Sequence, residues 1–195
     1  MPHVILLAGP NGAGKSTVAP RLLKGALGVQ EFVNADIIAS GLSAFSPDSA
    51  AFRAGRVMLR RLSELSKSRK NFAFESTLSA RSFAPWLKRL KAKGYRVRII
   101  FLFLPDPRLA IERVRQRVRL GGHDIPVPVI KRRYYAGIKN FFGLYMPLAD
   151  QWRIYDNSDL TPRLVAIGKG NSPYTRILAV REVWNEFVKL GTSYD

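Results

Sequence analysis

The sequence predicts an α/β fold, a three-layer sandwich in which a parallel sheet carries helices on both faces. Three observations lead there. Short apolar runs alternate with amphipathic segments along most of the chain. The first run, Val4 to Ala8, passes directly into a glycine-rich loop and then a helical stretch. The most apolar run, Tyr95 to Leu104 (YRVRIIFLFL), suits the centre of a sheet buried on both sides. With 195 residues, 47% of them apolar, and no internal repeat or linker, a single domain over residues 1–195 is expected.

The elements follow in order. Val4 to Ala8 is the first strand. Lys15 to Leu27 reads as a helix with Val18, Leu22 and Leu23 on one face. Glu31 to Asn34 is a short strand leading into Asp36. Pro47 to Lys70 is a long helix, Ser46 being its cap and Pro47 its first turn. Phe72 to Glu75 is a third strand, and Ser82 to Lys93 a helix stopped by Gly94. After the central strand, Asp106 to Leu120 is a helix closed by Gly121 and Gly122. Pro126 to Ile138 is the next helix, and Trp152 to Tyr155 the fifth strand. Leu164 to Ile167 and Tyr174 to Leu178 flank a Gly-Lys-Gly-Asn turn as a small hairpin, and Val180 to Leu190 is a closing helix.

Composition excludes several classes. Without cysteine there is no disulfide and no Cys-based zinc site, and the two histidines, His3 and His123, form no cluster. The longest apolar run is too short to cross a bilayer. The opening MPHVILLAGP lacks a basic leader region, so a cytoplasmic protein with no membrane partner is expected. The formal charge of +18 points to anionic partners, although part of it is an ordinary solvated surface.

Residues 9–17, GPNGAGKST, satisfy the phosphate-loop pattern in full. Glycines allow the backbone to turn its N–H groups inward onto phosphate oxygens, and the following helix adds its positive end. Gly9, Pro10, Asn11, Gly12, Ala13, Gly14, Lys15, Ser16 and Thr17 are therefore the expected nucleotide-binding residues. Lys15 would reach the β- and γ-phosphates, and Ser16 would ligate Mg²⁺. The fold class sharpens to a P-loop NTPase. The nucleotide is expected to be ATP, although no motif separates it from GTP. The loop alone names no reaction.

Acids at strand ends add chemistry, because ligands bind beyond the carboxyl ends of parallel strands. Asp36 is placed to act as general base toward an acceptor hydroxyl, with helix capping the plainer role. Glu75 could orient the acceptor or hold Mg²⁺ through water, and Thr77 could bond the acceptor. Asp106 ends a hydrophobic run, as a Walker B acid would, but it lies between two prolines and reads foremost as a helix cap. Asp156, with Asn157 and Ser158, reads as a turn that could hold the adenine end. Arg113 and Arg117 share one helix face and could stabilise a transferring phosphoryl group, together with Arg132 or Arg133 of the next helix. The glycines at 121 and 122 suggest a hinge for a basic lid spanning about residues 108–140, with His123 a candidate lid contact.

GPNGAGKST, the NAD at Asp36, FESTLS at Glu75, the GYRVRIIFLFLP strand, RVRQRVRLGGHDIP, KRRY and YDNS together resemble the zeta toxin family of P-loop kinases, in its short stand-alone branch. The likeness covers roughly the first 160 residues in the same order. It implies a nucleoside-monophosphate-kinase-like core and an ATP-dependent kinase. The implied acceptor is a hydroxyl of UDP-N-acetylglucosamine. Lys15 would be the phosphate ligand, Asp36 the base, and Glu75 and Thr77 would face the acceptor. An arginine of the 113–117 region and a second one, Arg133 or Arg132, would form the clamp. The segment before Ile125 is shorter than in plasmid-borne members, so acceptor identity stays open. No antitoxin partner can be inferred. The expected partner is a small acceptor, a nucleotide sugar foremost. A polynucleotide 5′-hydroxyl kinase is the weaker alternative, and a nucleotide switch with little chemistry a third.

Overall fold

The computed structural model describes residues 1–43, 47–122, 124–170, 172, 176–177 and 180–192. Among these residues, seven strands form one sheet in the order β2-β3-β1-β4-β5-β6-β7. The strands are β1 (His3–Ala8), β2 (Glu31–Val33), β3 (Phe72–Ser76), β4 (Arg96–Phe103), β5 (Gln151–Asp156), β6 (Arg163–Gly168) and β7 (Arg176–Ile177). The first five are parallel; β6 and β7 are antiparallel additions at one edge. The expected hairpin is thus an extension of the main sheet. Tyr174, Leu178 and Asn171 of that expectation lie outside the described residues, as does Ser46.

The most apolar strand, β4, occupies the middle of the sheet, with Phe101, Leu102 and Phe103 fully buried. Beside it, Val4 to Ala8 of β1 are equally buried, as a strand covered on both faces requires.

The helices are α1 (Lys15–Ala19), α2 (Ala35–Leu42), α3 (Pro47–Lys67), α4 (Phe83–Ala92), α5 (Pro107–Arg119), α6 (Val127–Asn140) and α7 (Arg181–Thr192). Two differ from expectation. The stretch after the glycine loop is not one regular helix: at Pro20, which has no N–H to donate, α1 gives way to a π-helical turn over Pro20–Ala26. Residues 35–42, unassigned in the sequence reading, form α2. Asn34 starts it, its Oδ1 accepting from the N–H groups of Asp36 at 2.7 Å and Ile37 at 3.2 Å. Asp36 is therefore in the first turn and is not the cap. Asp106 does cap α5, its Oδ1 accepting from the Arg108 N–H at 2.8 Å.

One face of the sheet is sealed by aromatic side chains. Phe187 of α7 lies 5.0 Å from Phe101 and 4.8 Å from Phe103, ring centre to ring centre, and Trp184 stacks parallel on Trp152 of β5 at 5.9 Å. Tyr134 of α6 donates its hydroxyl to the Leu104 carbonyl at 2.6 Å, which fixes the helix against the end of β4. The carboxyl ends of β1, β3 and β4 are held rigidly by this core, and the functional cleft opens above them.

Candidate active site

The loop from Gly9 to Ser16 joins buried β1 to α1. Gly12 adopts φ +77°, and a Cβ there would stand 2.5 Å from the Ala110 carbonyl oxygen, so only glycine lets α5 approach the loop. Among the described residues, the N–H groups of Gly14, Lys15 and Ser16 make no hydrogen bond, as expected at a helix start that awaits an anion. Asn11 is buried, and its Oδ1 has no partner among the described residues. Of these groups, the unbonded N–H donors of the loop are the ones that fit a bound polyphosphate.

Lys15 is only 5% exposed. Its Nζ donates to the carbonyls of Gly9 at 2.9 Å and Pro10 at 2.8 Å and stands 3.5 Å from Glu75 Oε1. Burial pushes its pKa below the ordinary lysine value, and the carboxylates of Glu75 and Asp36 act against that loss of charge.

Glu75, next to last in β3, stands beside the loop. Its Oε2 accepts from Ser16 Oγ at 2.9 Å and from Asn34 Nδ2 at 2.7 Å. Ser16, Asn34 and Glu75 thus form one polar cluster, closed by Asn34 Nδ2 donating to Ser16 Oγ at 3.1 Å. A hydroxyl and a carboxylate side by side at the end of a phosphate loop are the oxygen donors a Mg²⁺ ion prefers.

Two cavities meet here. The first, about 410 Å³, runs along the loop and is bounded by Lys15, Glu75, Arg113, Gln116, Asn157 and Leu160, among others. The second, about 360 Å³, has apolar walls from Ala35, Ile37, Ala39 and Ala51 with the Ser40 hydroxyl. Ser16, Asp36 and Arg117 line both. The Asp36 side chain therefore faces the same space as Lys15.

Arg113 lines the first cavity, but two of its nitrogens already donate to main-chain carbonyls, Nη1 to Asn157 at 2.7 Å and Nη2 to Ser158 at 2.6 Å. Thr77 lines neither cavity. Its hydroxyl pairs with Ser79 Oγ at 2.8 Å, and its carbonyl packs under Gly137 of α6. Arg132 is exposed and Arg133 half-buried on α6, and neither lines the cavities. His123 lies outside the described residues. Pro10 and Ala13 are buried parts of the loop, and Thr17 lines the first cavity.

Two residues matter more than the sequence suggests. Asn34 follows a strand and precedes a helix, which is a cap signature. Its second role, on Glu75, needs β2 and β3 to be neighbours. Asn157 reads as a turn residue, yet it is buried and its Nδ2 donates to the Ala13 carbonyl at 2.7 Å, so the turn after β5 braces the phosphate loop.

The strand, the phosphate loop with its buried lysine, and the five-strand parallel core with two cavities at its carboxyl edge define a P-loop NTPase with a nucleoside-monophosphate-kinase-like core. Within that class the chain belongs to the AAA domain family, whose profile matches residues 4–134. A Haemophilus influenzae protein, itself uncharacterized, is 31% identical over 130 residues, 67% of this chain and 91% of that protein. Among solved structures, one from the PezAT chromosomal toxin–antitoxin system of Streptococcus pneumoniae superposes with TM-score 0.66 at 19% identity. It covers 100% of this chain and 80% of its own. The AvrRxo1-ORF1:AvrRxo1-ORF2 complex with sulphate ions gives 0.71 at 18% identity, covering 98% of this chain and 64% of that one. The same complex with ATP gives 0.69. At these identities the likeness is one of fold. No helix among the described residues is long and apolar enough to cross a membrane.

Proposed function

We propose that this protein is a kinase that transfers the γ-phosphoryl group of ATP to a hydroxyl of a small acceptor. The observation that carries the reading is the meeting of the two cavities at Asp36 and Arg117, within the field of Lys15. The phosphates lie in the first cavity, on the free N–H groups of the loop and on Lys15. The acceptor lies in the second, its hydroxyl against Asp36.

Asp36 takes the hydroxyl proton as the acceptor oxygen bonds to the γ-phosphorus. The bond from that phosphorus to the β,γ-bridging oxygen breaks, and ADP leaves. Arg117 neutralises charge on the transferring group, while Arg113 positions the loop through the turn after β5. Ser16 and Glu75 would hold Mg²⁺, which supplies charge neutralisation across the β- and γ-phosphates. Closure of the α5–α6 segment about Gly121 and Gly122 would exclude water and bring Arg132 or Arg133 toward the nucleotide. A nucleotide sugar, the acceptor implied by the zeta toxin resemblance, is the first to try.

Purified protein is given radiolabelled ATP, Mg²⁺ and a panel of UDP-sugars, nucleosides, simple alcohols and 5′-hydroxyl oligonucleotides. Label is expected on a small hydroxyl acceptor, and Asp36→Asn is expected to lower kcat about 10²- to 10⁴-fold with little change in ATP affinity. Undiminished turnover in Asp36→Asn would remove the base. Label on the oligonucleotide alone would move the reading to a polynucleotide kinase.

A further inference from the structure

Alternate residues of a strand face opposite sides of the sheet. On β4 and β5, Phe101, Phe103 and Trp152 point toward the aromatic layer made by Phe141, just after α6, and by Trp184 and Phe187 of α7. The side chains between them point the other way. Register places Arg96 beside His3, Arg98 beside Gln151, Ile100 beside Arg153 and Leu102 beside Tyr155. All of these share the second face. Ile100 and Leu102 are buried on this face, but its rim is incompletely covered: Arg96 is exposed, and Arg98, Gln151, Arg153 and Tyr155 are only half-buried, whereas Trp152, Ile154 and Asp156 on the opposite face are buried.

No Asp or Glu shares this face in β1, β4, β5 or β6. Among the described residues, Arg96, Arg98 and Arg153 belong to no ion pair. Arg98 and Arg153 line one recess with Gln151 and Leu27. Burial depresses the His3 pKa, and the cations of Arg98 and Arg96 depress it further, which marks the concentration of positive charge there. Gathering cations without counter-charge costs folding energy, and an anionic ligand offsets that cost.

We propose that this partly covered face of β4 and β5 is a binding surface for single-stranded nucleic acid, with phosphates on Arg96, Arg98 and Arg153 and a base against the exposed part of Tyr155, the rest of which packs on the core. The choice rests on the alternation of cation and ring. Same-face side chains on β5 recur about every 6.7 Å, so Arg153 and Tyr155 offer a charge and a stacking surface to one extended strand. Gln151 adds a hydrogen-bonding group. A lipid surface would call for exposed apolar anchors beside the arginines, and a stable acidic protein partner for a larger apolar centre. The surface lines neither cavity of the candidate active site, so it stands or falls apart from the kinase reading.

The test is fluorescence anisotropy of the full chain with a labelled single strand of roughly 12 nucleotides, titrated at several salt concentrations. Binding is expected to weaken as salt rises. The double variant Arg98→Gln/Arg153→Gln should bind at least about tenfold more weakly and flatten the log–log salt slope by roughly 1.4, about 0.7 for each cation removed. Tyr155→Leu should weaken binding roughly tenfold at unchanged slope. ATP binding, measured in parallel, should be unaltered in all variants and certifies their folding. Unaltered strand binding in the double variant, or no strand binding by the natural protein, would overturn the proposal. So would competition by poly-glutamate or anionic lipid vesicles as effective as that by unlabelled strand.

Discussion

Asn34 is a single residue with two structural obligations. Its Oδ1 starts α2, and so sets the direction of Asp36 two residues later. Its Nδ2 holds the Glu75 carboxylate that also accepts from Ser16. Removing both functions with Asn34→Ala should cost about 1 kcal/mol through the lost cap, with a further loss of activity. Asn34→Ser keeps a good cap but its short hydroxyl cannot reach Glu75. The serine variant should therefore recover most of the melting temperature and little of the turnover. Equal recovery of both would show that the link to Glu75 is idle. Residues of this kind mark the limit of sequence reading. Lys15 and Ser16 are legible because nine consecutive letters define their surroundings. The bond from Asn34 to Glu75 spans 41 positions and exists only because β3 lies between β2 and β1. Arg113 shows the same limit from the other side: its helix face is readable, but its engagement by the carbonyls of Asn157 and Ser158 is not.

At the scale of elements, the turn after β5 serves the site without touching the reaction. Asp156 organises it, its Oδ1 accepting from the Ser158 N–H at 3.0 Å and the Ser158 hydroxyl at 2.6 Å, its Oδ2 from Arg163 at 2.9 Å. Burial works to raise the Asp156 pKa, but the hydrogen bonds from Ser158 and Arg163 outweigh it and the net shift is downward. A carboxyl whose pKa is lower folded than unfolded stabilises the fold above the ordinary carboxylate range, and that contribution is lost as pH falls through the folded value. Urea unfolding of the natural protein and of Asp156→Asn, followed between roughly pH 3 and pH 7, should show a stability gap that narrows toward acid. A constant gap would mean that the charge of Asp156 contributes nothing. The order of elements was readable from apolar runs and breakers, β4 most plainly. The helix α2 was not: with Ser40 and Gly41 in eight residues it carries weak helix formers, and its stability comes from packing on α3. The π-helical turn at Pro20 was likewise invisible to a pattern that counts only spacing.

For the molecule as a whole, charge is the feature the fold leaves unbalanced. Thirty-two basic side chains face 14 acidic ones. Several of the acids are already committed locally: Glu75 to the phosphate loop, Asp150 to Lys91, Asp156 to Arg163 and Asp106 to Arg108. The remaining cations repel one another across a surface that folding has made smaller, so the folded state bears more self-repulsion than the expanded chain. Added salt acts on this balance in two opposing ways. It weakens the few exposed ion pairs, each worth little, and it screens the many repulsive pairs. With an excess of +18 the second effect should win. Thermal melts in sodium chloride from about 20 mM to about 200 mM, over which the screening length falls from roughly 20 Å to below 10 Å, should show a melting temperature that rises by several degrees. The Arg98→Gln/Arg153→Gln double variant, with two unpaired cations fewer, should start higher at low salt and rise less. A melting temperature that falls with salt would mean that the committed acid pairs, few as they are, outweigh the field of the whole surface.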